Sequence, residues 1–210
     1  MTNRKQSASF DFRRFDIHSS FVIRASSLRN SALTIIELLV VIIIILILAG
    51  LVLSISSYVQ NKAARARAET EIAAMSAALE SYKADNGIYP RDNTTTGYTD
   101  ALDAKVASNP TQAVYKNASV YLFAELSGLN TSQQVVANKK SYFSFKPQML
   151  GHPTGDNTTV AYIRDPFGNS YGYSTANQGS SSAGYNPTFD LWSTAGGKTP
   201  TDVTKWIKNW

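Results

Sequence analysis

The stretch Leu38-Leu39-Val40-Val41-Ile42-Ile43-Ile44-Ile45-Leu46-Ile47-Leu48-Ala49-Gly50-Leu51-Val52-Leu53 decides how the rest of the chain is read. Ile35 and Ile36 extend it on one side and Ile55 on the other, and between Arg29 and Lys62 the only charge is Glu37. About 20 apolar residues in helical conformation cross the ~30 Å hydrocarbon core of a bilayer. A core helix of a soluble domain carries a polar face, and this run has none. A membrane-spanning helix is therefore predicted. A cleavable secretory signal would have a shorter apolar region ending in a small-x-small site. Here Ala49-Gly50 falls inside the run, and only Ser54 and Ser56-Ser57 offer a late site.

Outward from the run, the charge is uneven. Residues 1–32 hold six basic groups (Arg4, Lys5, Arg13, Arg14, Arg24, Arg29) against Asp11 and Asp16, a net +4 of the chain's +5. The positive-inside rule then places the N-terminus in the cytoplasm and the C-terminal part across the membrane. The remaining residues carry 14 basic and 13 acidic groups, so no basic patch on a folded domain points to nucleic acid. With 17% charged and 43% hydrophobic residues, whole-chain disorder is excluded. A length of 210 residues allows one or two domains. The absence of cysteine removes disulfides, thiolate metal sites and a cysteine nucleophile together.

Beyond the apolar run the helical pattern continues. Ala68, Ile72, Met75, Leu79 and Tyr82 recur at heptad-like spacing, a face for packing on a domain. Arg65 with Glu69, and Arg67 with Glu71, stand at i,i+4 on other faces. Gly87, in Asp85-Asn86-Gly87, stops the helix, followed by Tyr89-Pro90. One helix over 33–86 would be about 80 Å long. Residues 91–115 read as a loop and Ser119–Leu126, ended by Gly128, as a short helix. Strands are predicted at Tyr142–Lys146, Ala161–Ile163, Tyr171–Ser174 and Phe189–Ser193, with a turn at Asp165-Pro166-Phe167-Gly168 and a flexible loop over 175–186. The economical arrangement is α+β, a small antiparallel sheet against the long helix.

Catalytic motifs are thin. Gly168-Asn169-Ser170-Tyr171-Gly172 matches G-x-S-x-G, but that elbow needs an acid and then a histidine after the serine. The only histidines, His18 and His152, both precede it, which also disfavours a zinc site. No phosphate-binding loop is present. Trp192, Trp206 and Trp210 read as core and interface residues. Glu37 stands out instead. A carboxylate inside an apolar span costs about 2.5–3.5 kcal/mol at mid-membrane, less near the edge. It either reaches the headgroups or has a cationic partner.

Ala32-Leu33-Thr34-Ile35-Ile36-Glu37-Leu38-Leu39-Val40-Val41 resembles the N-terminal methylation motif of type IV pilins and type II secretion pseudopilins. Tyr82–Pro90, Asp165-Pro166-Phe167-Gly168-Asn169-Ser170-Tyr171, Phe189–Ser193, Asp202-Val203 and Asn209-Trp210 resemble segments of the major, G-type pseudopilin. The resemblance implies the type IV pilin fold and three regions: a basic leader over 1–32, a transmembrane and assembly half of the helix over 33–57, and a periplasmic globular domain over 58–210. It implies cleavage by prepilin peptidase between Ala32 and Leu33, where the family usually has Gly and Phe. It further implies N-methylation of Leu33, and pairing of Glu37 with the amine of a neighbouring copy. The chain would be a non-enzymatic subunit, held in the bacterial inner membrane and polymerised into a pseudopilus. Its partners would be other copies of itself, minor pseudopilins and the inner-membrane secretion platform. A type IV pilus subunit, for adhesion, motility or DNA uptake, is the second reading; a membrane-anchored envelope enzyme or binding domain is the third. The family's Ca²⁺ site maps to Asp202, with Asp190 second. Ser193–Lys198 carries no acid, so a single carboxylate beside Lys198 predicts weak binding.

Overall fold

The computed structural model describes residues 34–94, 98–106, 109–197 and 200–210. Contacts divide the chain into two units, one ending at Leu48 and the other covering Ala49–Trp210. A single helix, α1 (Ile35–Asn86), belongs to both. It is long and apolar enough to cross a membrane, with a window of mean hydropathy 3.5. Its first part is Leu, Ile and Val. Its second part is rich in alanine, the strongest helix former. The stop falls where expected: Gly87 takes φ +78°, the left-handed conformation that glycine tolerates, and its N–H donates to the Lys83 carbonyl at 2.7 Å.

The second unit is built around the predicted stripe. Ala68, Ile72, Met75 and Leu79 are buried, Ala78 joins them, and Tyr82 packs at the edge. They share a core with Leu122, Phe123 and Leu126 from α3 (Ala113–Ser127), and with Ile163, Tyr171, Tyr173, Phe189 and Leu191. A short α2 (Tyr98–Ala101) lies between α1 and α3, within the stretch expected to be loop. α3 starts six residues before the expected Ser119 and ends as expected, at Gly128 with φ 71°.

Two small antiparallel sheets replace the single predicted one. β1 (Leu150–Gly151) pairs with β2 (Tyr162–Ile163). β3 (Gly172–Ser174), β4 (Asp190–Ser193) and β5 (Ile207–Lys208) form the other, in the order β3-β4-β5. All four residues of β4 are buried. Gly172 stands opposite Trp192. A Cβ at Gly172 would fall inside the indole, so the ring lies on bare backbone. Trp192 in turn stacks on Trp206 (5.9 Å between centroids) and meets Tyr115 and Trp210 edge-on.

Two expectations are corrected. Tyr142–Lys146 forms no strand and pairs with none among the described residues. The N–H groups of Tyr142 and Phe143 donate to the Leu126 carbonyl at the end of α3 (2.8 and 2.9 Å), and Phe143 and Phe145 pack edge to face. The free carbonyls of a helix C-terminus thus take the hydrogen bonds a neighbouring strand would have supplied. The 175–186 segment contains α4 (Ala176–Gly179) and is pinned by Asn177 to the carbonyl of Ala183 and by Gln178 to that of Thr188.

Candidate functional site

At the head of α1, Thr34-Ile35-Ile36-Glu37 forms a capping box. Glu37 Oε2 accepts from the Thr34 N–H (2.8 Å) and the Thr34 hydroxyl (3.0 Å), and the Thr34 hydroxyl accepts from the Glu37 N–H (3.3 Å). The capping box is a third way to satisfy the carboxylate, beyond headgroups and a partner cation, and the T-x-x-E spacing is its signal in the sequence. Ala32 and Leu33, the expected cleavage pair, lie outside the described residues, as does the basic leader.

In the second unit, the carboxylates organise loops. Asp165 is 3% exposed. It accepts from the N–H groups of Phe167 (3.0 Å) and Asn169 (2.8 Å) and from the Ser193 hydroxyl (2.5 Å). It thereby closes its own turn and ties that turn to β4. Burial pushes its carboxyl above the usual range, against the opposing effect of the three donors. Asp-Pro-x-Gly signals the turn in the sequence, whereas the link to Ser193, far along the chain, leaves no local signal.

Asp190 is likewise buried. Its two oxygens accept from the N–H groups of Tyr185 (2.7 Å) and Asn186 (2.8 Å), and burial raises its carboxyl as well. Asp202 sits in a 3₁₀ turn, Pro200–Lys205, with Lys205 Nζ 3.2 Å from its Oδ1. Gly197 packs closely against it. Lys198, the expected repelling neighbour, lies outside the described residues. Among the described residues, no group of three or more His, Asp or Glu side chains converges as cation ligands.

The serine of the G-x-S-x-G match is buried, and its hydroxyl donates to the Tyr171 carbonyl at 3.0 Å. A strand follows it. His152 Nδ1 lies 2.8 Å from the Thr159 carbonyl. Of the two expected ion pairs on α1, Arg67–Glu71 forms at 2.7 Å. Arg65 instead donates to the Lys205 carbonyl at 2.9 Å, a tertiary partner that helical spacing cannot reveal. Glu71 also accepts from the Tyr171 hydroxyl at 2.8 Å, which holds β3's approach to α1 in register. A concavity of about 300 Å³ lies beyond α3, walled by Phe123, Phe143, Phe145 and Leu150.

No family model matches the chain, and neither a curated protein nor a solved structure gives a match. The class that the geometry defines is an α+β protein with one long N-terminal apolar helix and small antiparallel sheets.

Proposed function

We propose that the chain is a non-enzymatic filament subunit with a type IV pilin fold, a pseudopilin of the major kind in a type II secretion system. In this reading prepilin peptidase cuts between Ala32 and Leu33, and the new amine of Leu33 is methylated. The subunit waits in the inner membrane with its C-terminal domain in the periplasm. It then polymerises with other copies and with minor pseudopilins on the inner-membrane secretion platform, and filament growth drives folded proteins across the outer membrane.

One observation carries the reading. A lone carboxylate, Glu37, stands at the head of an otherwise uncharged apolar helix, fixed there by Thr34 rather than by chance exposure. An anchor helix that only had to span lipid would gain stability by losing that charge. Beyond the local bonds from Thr34, the charge suits a cation arriving from outside the chain, which a neighbouring copy's amine would supply. The heptad-like stripe of α1 packed on small sheets supports the same reading.

Intact-mass analysis of membrane-extracted protein tests it. The expected mass begins at Leu33 and carries one methyl group. A chain beginning at Met1, or one cut near Ser57, would overturn the proposal.

A further inference from the structure

Past the apolar run, α1 meets its first charge since Glu37 at Lys62. The Lys62 ammonium lies 5.3 Å from the centroid of the Tyr58 ring, one turn earlier on the same face. Neither group is otherwise engaged: among the described residues, the Tyr58 hydroxyl makes no hydrogen bond and Lys62 has no carboxylate partner. Three of the other lysines placed over rings are held by a further partner. Lys83 also donates to the Tyr89 hydroxyl, Lys105 to the Ser182 carbonyl and Lys140 to Asp85. Tyr58 is 62% exposed, and so is the apolar surface that precedes it.

The spacing gives this free pair a place. Twenty residues, 38–57, separate Glu37 from Tyr58 and none is charged. That is the number a helix needs to cross the hydrocarbon core. If Glu37 marks one boundary, Tyr58 falls at the other. There an amphipathic ring prefers the interface and a lysine extends its ammonium to the headgroups. A hydroxyl donor beside an unpaired ammonium is the donor set of an oxyanion site.

We infer that Tyr58 and Lys62 form a phospholipid headgroup clamp, which takes the phosphate of an anionic lipid in the leaflet adjoining residues 58–210 and fixes the depth of α1. The inference rests on α1 crossing a membrane. It makes the first residues after the span a lipid-binding site rather than a linker.

The test uses the full chain in phosphatidylcholine vesicles containing phosphatidylglycerol. Nitroxide-labelled lipids of each kind report which one gathers around the protein. One surface lysine contributes roughly 1 kcal/mol of attraction to anionic lipid, or about fivefold. Lys62→Gln should therefore lower the preference for phosphatidylglycerol about fivefold, Lys62→Arg should keep it, and Tyr58→Ala should reduce it. An unchanged preference in Lys62→Gln overturns the clamp. Displacement of labelled lipid by inorganic phosphate, at matched ionic strength, overturns the choice of lipid over the free ion. Flotation with the vesicles after alkaline washing checks the underlying reading separately. A wild-type chain that fails to float overturns membrane insertion itself, whereas one that floats with unaltered lipid preference in Lys62→Gln removes the clamp alone.

Discussion

Replacing Asp165 by alanine should cost the fold about 3–5 kcal/mol. The carboxylate is buried and accepts three hydrogen bonds, from the N–H groups of Phe167 and Asn169 and from the buried Ser193 hydroxyl. Alanine strands all three donors, and a buried unsatisfied donor costs about 1–3 kcal/mol. The two N–H groups are partly accessible to water, which lowers their share, and relief of a desolvated charge offsets some of the rest. Asp165→Asn tests the argument from the other side. An amide oxygen still accepts from the turn, and the Ser193 hydroxyl can rotate to accept from the amide nitrogen, so the loss should stay near 1 kcal/mol. The charge itself has a sign. Burial raises the Asp165 carboxyl in the folded state. A group raised in this way contributes stability that is fully present below its unfolded pKa of about 3.9 and is lost as pH rises through the folded pKa. Asn at 165 should therefore flatten that part of the stability profile above pH 4. Urea unfolding of the full chain, followed by tryptophan fluorescence across pH, measures both effects. An alanine variant within about 0.5 kcal/mol of wild type would refute the account, since exposed positions change stability by that little.

Gly172→Ala places a methyl group inside the Trp192 indole, and because Trp192 is held by Trp206 and Tyr115 the ring has nowhere to go. Overpacking of this kind costs about 1–3 kcal/mol, read as a lower urea midpoint; an unchanged midpoint would mean that the β3–β4 pairing is looser than described. Glu37→Val should improve membrane insertion by removing a charge from an apolar span, while sheared or cross-linked filaments disappear; filaments at wild-type levels would rule out pairing with a neighbour's amine. Calcium at about 1 mM should raise the melting temperature of the full chain by only about 1–6 °C, as expected for a site of ~10⁻⁴–10⁻³ M, and Asp202→Ala should abolish the rise. A large shift at micromolar calcium would show that Asp190 and backbone oxygens complete a strong site.

Much of α1 is legible in the sequence because its signals are periodic and long. The buried stripe Ala68, Ile72, Met75 and Leu79 follows directly from helical spacing, and Gly87 from the need for a positive φ. Period-two reasoning does less well. Phe143 and Phe145 alternate as in a strand, but both serve the same aromatic cluster beside Phe123, and the N–H groups of Tyr142 and Phe143 bond to a helix end. β1 and β5 have two residues each, too few to establish any period. The buried carboxylates are half legible. Asp165 announces a turn, and Asp190 sits near a glycine-rich loop. Yet their burial depends on β4 meeting both loops, and that is a property of the tertiary fold.

The same division applies to Glu37. From the sequence it is a charge in search of a partner. The structure supplies Thr34, and this local partner does not use up the carboxylate. Both bonds from Thr34 fall on Oε2. Oε1 makes no hydrogen bond or ion pair among the described residues. One oxygen thus holds the side chain along the helix start while the other stays available to a cation. In the proposed filament the capping box would therefore not compete with the neighbouring amine. It removes rotamer freedom that a docking amine would otherwise have to freeze, a cost of about 0.5–1.5 kcal/mol for a side chain of this size. Thr34→Ala should then weaken filament formation without abolishing it, and Thr34→Ser, which keeps the hydroxyl, should restore it. Quantified cross-linking between copies, with Glu37→Val as the floor, distinguishes the two outcomes. If Thr34→Ala assembles as well as wild type, the hydroxyl only caps the helix and orients nothing.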